Sequence, residues 1–203
     1  MTPIQKRCSP KYHEGTSLIE IIVAVLVICV GVTVLTLWAL GVWSKTNGME
    51  AITKLKNLQF ATEAMYRDGV SAGDTNRVWP GDGDARFSTW ANQLVPDYLT
   101  TNQFCEFLSI RGMEVSRGRI PQMKDTWVRV YAVSSNSPSD TVFLSSFNFT
   151  NTPLGGKPLD PKIKPFSDRG FAVFRKGGDG GFFRDHEVGK TNVIGAFAPM
   201  VSE

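Results

Sequence analysis

The chain has 203 residues, 42% of them hydrophobic, with 22 Lys and Arg against 19 Asp and Glu for a formal charge of +3. Lys6, Arg7 and Lys11 against Glu14 account for +2 of that in the first 15 residues, which leaves +1 for the rest and no basic field to draw nucleic acid. With two histidines and no Walker loop, CxxC, HExxH or Gly-x-Ser-x-Gly, the sequence carries no motif for nucleotide, redox or common hydrolytic chemistry.

Behind the basic start comes an apolar run over residues 21–43. Between Leu18 and Trp43 the only charge is Glu20. Those 26 residues make a helix of about 39 Å, enough to cross a hydrocarbon core of roughly 30 Å with tilt. Lysine and arginine ahead of such a helix stay cytoplasmic, so the expectation is a single pass with the C-terminal part on the far side. A carboxylate in this position costs up to about 3 kcal/mol at mid-bilayer, and less near the interface, so Glu20 asks for a partner. An ordinary secretory signal has an apolar region of about 7–15 residues, and this run is longer, although Ala39-Leu40-Gly41 has a small-x-small pattern. A plain signal anchor would give neither Gly15 nor Glu20 a purpose.

The helix is expected to continue beyond the apolar run. Met49, Ile52, Leu55, Leu58, Ala61 and Met65 recur at three- and four-residue spacing, with Glu50, Lys54, Lys56 and Glu63 mostly on the other face. Gly48 is a candidate bend, and Asp68-Gly69 with residues 71–74 are the expected stop. A helix over residues 16–68 would be half apolar throughout and half amphipathic.

Next, Trp79-Pro80-Gly81-Asp82-Gly83-Asp84 reads as a turn-rich loop, followed by a helical segment over residues 88–99. Strands are expected over residues 127–133, 141–149, 171–174 and 193–197, with a Gly- and Pro-marked connection at 155–165. Such an order predicts an antiparallel sheet packed on the long helix, an α+β fold. The expected domains are a leader over 1–15, the long helix over 16–68 (membrane-spanning over about 18–43) and a globular domain over 69–203. Of Cys8, Cys29 and Cys105 only the last lies in that domain, so no disulfide can form within it and Cys105 reads as a buried apolar residue.

Residues 15–20, Gly-Thr-Ser-Leu-Ile-Glu, with the basic leader before them and the apolar run behind, resemble the class III signal sequence of type IV pilins and type II secretion pseudopilins. The resemblance implies cleavage after Gly15 by a prepilin peptidase and N-methylation of the new terminus at Thr16, where the family usually has phenylalanine. Ser17, Leu18 and Ile19 fill the rest of the motif, and Glu20 matches the glutamate kept for assembly. The segment 94–99, Lys124-Asp125-Thr126-Trp127 with Tyr131, and Gly177-Gly178-Asp179-Gly180-Gly181 are similar in patches to the pseudopilin domain. The resemblance further implies a pilin-like α+β fold and a structural subunit of a type II secretion pseudopilus or related type IV filament, not an enzyme. Its partners would be the prepilin peptidase, other pseudopilin subunits, an inner-membrane assembly platform and the inner membrane itself, with the C-terminal domain periplasmic. The competing expectation is a periplasmic binding or enzymatic domain on an uncleaved signal anchor.

The family's glycine-rich turn lies beside a calcium ion, and Asp179, with Asp185 and Glu187 close behind, could supply part of the oxygen shell that calcium needs. Glycine and aspartate also favour an ordinary turn with solvated acids. Asp82 and Asp84, near Asp74, look like a fragment of a calcium loop without its bidentate glutamate. His186, between Asp185 and Glu187, is the one candidate base in the globular part and reads as a surface turn residue. Asn148-Phe149-Thr150 fits a glycosylation sequon within an expected strand.

Overall fold

In the computed structural model of the chain, residues 18–154, 157–159, 162–163, 166, 169–187 and 194–203 are described, without the side chains at 20, 37–46, 150–154, 157–158 and 185. The chain divides into two compact units, Met1–Ser44 and Lys45–Glu203. Helix α1 (Leu18–Ala72, 55 residues) contributes to both.

In the first unit the described part of α1 is aliphatic on every side and exposed, Leu18 at 74%. A helix apolar all round has no single face to pack. Its few polar groups are turned inward on the backbone: Thr33 Oγ1 donates to the Cys29 carbonyl (2.8 Å) and Thr36 Oγ1 to that of Thr33 (2.8 Å). Among the described residues no helix is long and apolar enough to cross a membrane. The span expected over residues 18–43 runs into the undescribed side chains from position 37.

The second unit is built on the rest of α1. Ala51, Leu55, Leu58, Ala61 and Met65 are buried against the domain, which is the face the periodicity marks. Met49 departs from it and is 75% exposed. At Gly48, the candidate bend, α1 continues without a break, and the Phe182 ring lies 3.0 Å from where a Cβ would be. The helix passes the expected stop at Asp68 and ends at Gly73, whose φ of +68° an L side chain rarely adopts.

Two short helices come next, α2 (Phe87–Leu94) and α3 (Thr101–Phe107). The former ends short of residue 99. The latter is not among the expected elements, yet it carries a readable signature: the Thr100 hydroxyl accepts from the Gln103 backbone N–H and the Gln103 side chain accepts from that of Thr100.

The strands are β1 (Val128–Val130), β2 (Val142–Ser146), β3 (Phe149–Leu154), β4 (Lys157–Leu159), β5 (Phe171–Arg175) and β6 (Gly180–Phe183). A four-stranded sheet runs in the order β1-β2-β5-β6, with every neighbour antiparallel, and β3-β4 form a separate pair. The fold is therefore α+β with an antiparallel sheet. The strand expected over 127–133 forms only at Val128–Val130, and three further expectations shift. The long run over 141–149 breaks at residues 147–148 into β2 and β3. The connection over 155–165 contains β4, and part of it lies outside the described residues. The strand expected at 193–197 is not formed in its described part, which makes a single bridge, Val142 to Phe197, before Val201 N–H donates to the Val130 carbonyl (3.0 Å).

The core lies where α1, α2 and the sheet converge. The Trp79 and Trp90 rings meet Phe143 edge-on at 5.1 and 6.0 Å between centroids. That arrangement suits the aromatic quadrupole and adds to the area these rings bury.

Candidate functional site

Of the residues singled out at the N-terminus, Gly15, Thr16 and Ser17 lie outside the described residues, and the Glu20 side chain does too. Leu18 and Ile19 lie in α1 and are exposed. The helical backbone from Leu18 on is the part of this site that the structure describes.

The glycine-rich turn joins β5 to β6. Its tightness is set by the Arg175 N–H donating to the Asp179 carbonyl (2.8 Å) and by Gly178 at φ +87°. The Asp179 carboxylate is paired with the Arg175 guanidinium. Glu187 Oε2 accepts from the Arg184 backbone N–H (2.7 Å), and the Asp185 side chain lies outside the described residues. Among the described residues no group of three or more His, Cys, Asp or Glu converges as metal ligands would. Asp179 thus meets a cation already supplied by its own chain.

The acids of the 74–84 loop are likewise committed to structure. Asp82 Oδ2 accepts from the Ser135 N–H (2.7 Å), and Asp84 pairs with Arg86 (3.2 Å) and accepts from Thr89 (3.0 Å). Asp74 caps the Asn76 N–H (2.9 Å) and meets Arg77. Arg77 also reaches Asp97 (3.0 Å) and donates to the Tyr98 hydroxyl (2.8 Å), which in turn donates to Asp68 (3.0 Å). This cluster ties the end of α1 to the connection after α2. Burial, then the bond to Asp68, pushes the Tyr98 hydroxyl above its ordinary pKa. Asn148 of the sequon is buried, with Nδ2 donating to the Gly170 carbonyl (2.8 Å), and so is turned away from any glycosylating enzyme.

A cleft of about 770 Å³ lies along α1, walled by residues 137–139 and 176–178. Its floor is Gln59, 3% exposed, whose Nε2 donates to the Lys176 carbonyl (2.9 Å) and whose Oε1 has no hydrogen-bond partner among the described residues. Exposed Phe60 and the Glu63–Arg67 ion pair (2.9 Å) line one side. Lys176 is fixed at the rim, donating to the carbonyls of Ser135 (2.6 Å) and Ser137 (2.7 Å). No local pattern of residues announces this cleft, because Gln59 is brought to Lys176 across 117 residues. Compared with protein-family models, curated proteins and solved structures, the chain matches none.

Proposed function

We propose that the chain is a structural subunit of a type II secretion pseudopilus or related type IV filament, and that its fold is pilin-like. The observation that carries this reading is the run Gly15, Thr16, Ser17, Leu18, Ile19, Glu20 set directly before a long apolar stretch. Three features support it. Behind the proposed scission point the described chain is one long helix, α1, of 55 residues over Leu18–Ala72. Its described aliphatic side chains in the first unit are exposed on all sides, a surface suited to lipid before assembly and to equivalent helices after it. In the second unit an antiparallel sheet accompanies the amphipathic part of the same helix, and the domain's core draws on that part.

In this mechanism the prepilin peptidase removes residues 1–15, and Thr16 becomes the methylated terminus. The subunit waits in the inner membrane with its globular domain in the periplasm, and the assembly platform feeds it into a bundle of like helices. Intact mass of the chain made with and without a prepilin peptidase tests the reading. Loss of residues 1–15 with the peptidase, blocked in Gly15→Val, is expected, because a side chain at Gly15 obstructs close approach of an enzyme to the backbone. An unchanged mass in both cases sinks it.

A further inference from the structure

The resemblance to pseudopilins implies a calcium ion beside the glycine-rich turn, and the side chains described there do not fit one. Calcium takes about six to eight oxygens, carboxylates and carbonyls among them. Here the Asp179 carboxylate is paired with the Arg175 guanidinium. A divalent cation at the same carboxylate would stand against that charge at close range. Glu187 is turned to its own chain, Oε2 accepting from the Arg184 N–H (2.7 Å).

The guanidinium reaches further than one ion pair. Its inner edge faces the C-terminal segment, where Arg175 Nε donates to the Ile194 carbonyl (3.0 Å). Ile194 is buried, and Gly195 follows at φ +109°, where a Cβ would strike the Asp140 carbonyl. The segment passes this close to the sheet because glycine stands there. Beyond it the Val142 N–H donates to the Ala196 carbonyl (2.7 Å), the Ala132 N–H to that of Pro199 (2.7 Å), and the Val201 N–H to that of Val130 (3.0 Å). Arg175 lies opposite Val142 in the β2–β5 register, at the head of this row. Its side chain is 20% exposed and that of Asp179 is 62%. An exposed ion pair contributes little, whereas a charged donor shielded from water makes a stronger bond.

We infer that Arg175 stands in for a metal ion at this turn, its guanidinium joining the Asp179 carboxylate to the Ile194 carbonyl and so anchoring residues 194–203 to the sheet. Carboxylate and carbonyl are the oxygen types that calcium takes, and the planar fork of an arginine serves both at once. The difference is one of supply. A bound ion stabilises by mass action and is lost to a chelator, whereas an arginine is a permanent cation on the chain itself. The inner bond to Ile194 carries the anchor, and Asp179 orients the guanidinium for it. This anchor does not rest on the filament reading.

Thermal melting and hydrogen exchange of the full chain in detergent micelles, each with calcium and with EGTA, test it. The unaltered chain should melt and exchange alike in both. Arg175→Met keeps the apolar stem and removes the donors, so exchange at the Val142 and Ala132 amides should rise about tenfold or more. The buried face of α1 should stay slow in that variant. Asp179→Asn should speed the same amides less. Should Arg175→Met fail to fold, Arg175→Lys, which keeps the charge without the fork, is read in its place. Calcium that raises the melting temperature of the unaltered chain but not of Asp179→Asn overturns the inference. So does unchanged exchange at Val142 once the guanidinium is gone, or equal acceleration in α1, or a larger effect from Asp179→Asn than from the arginine variant.

Discussion

Trp90 donates its indole N–H to the Thr62 hydroxyl at 3.1 Å, both side chains buried, and the same hydroxyl donates to the Leu58 carbonyl at 2.9 Å. One small group thus seats α2 on α1 and satisfies the only donor of the indole. Thr62→Val keeps the shape and leaves that donor buried without a partner. The expected loss is about 1–3 kcal/mol of unfolding free energy, while Thr62→Ser, which keeps the hydroxyl, loses less. Urea unfolding of a chain beginning at Lys45 measures both.

Lys176 is a structural cation. Its ammonium donates to two carbonyls of the 135–137 turn and lies 5.9 Å from the Trp79 ring centroid. Lys176→Met keeps the apolar stem and removes the charge, so the turn loses two donors at once. The expected cost is about 1.5–3 kcal/mol, the range for hydrogen bonds to charged groups. Hydrogen exchange should accelerate at residues 134–139 and stay slow in the buried face of α1; equal acceleration in both would mean that Lys176 holds the whole unit and not the turn.

Alkaline pH should weaken the domain through Tyr131. Burial raises its hydroxyl above the ordinary value, and its bond to Ser145 Oγ (3.1 Å) opposes that only in part. Between the unfolded value of about 10 and the raised folded one, the folded state binds more protons, so stability falls as pH rises. Below about 10 the contribution is fully present. Melting temperature should therefore drop above pH 10 or so, and Tyr131→Phe should flatten the drop while giving up about 1 kcal/mol for the lost hydrogen bond. An equally steep drop in Tyr131→Phe would assign the effect elsewhere.

How far the fold is legible in sequence depends on the reach of each determinant. The inward stripe Leu55, Leu58, Ala61 and Met65 is a local pattern and readable, as is the short alternation of β1. Strand β6 reads as turn because Gly180 and Gly181 favour turns. They serve the sheet instead, since a Cβ at Gly180 would strike the Phe174 ring and the Val173 carbonyl. The burial of Gln59 is not readable, because the turn that covers it comes from more than a hundred residues on. Asp179 looks like a cation ligand in isolation; its nearest cation, Arg175, faces it only once the β5–β6 turn is closed. The N-terminal motif is legible in sequence alone, and its residues up to Ser17 lie outside the described part.

Under the filament reading, cleavage leaves an ammonium on Thr16, four residues before the carboxylate of Glu20. Within one helix such spacing allows a weak pair of a few tenths of a kcal/mol. Between neighbours in a dry helical bundle the attraction is far greater, although desolvation of both groups takes back much of it. What survives is mainly a penalty on wrong registers, since a misplaced subunit leaves both charges buried and unpaired. Glu20→Ala should therefore be cleaved and inserted normally yet fail to assemble, and Glu20→Asp, one methylene shorter, should assemble poorly. Leader removal by gel shift and sedimentation of filaments read the two steps separately. Assembly of Glu20→Ala at the wild-type level would remove the carboxylate from register setting and the proposed bundle with it.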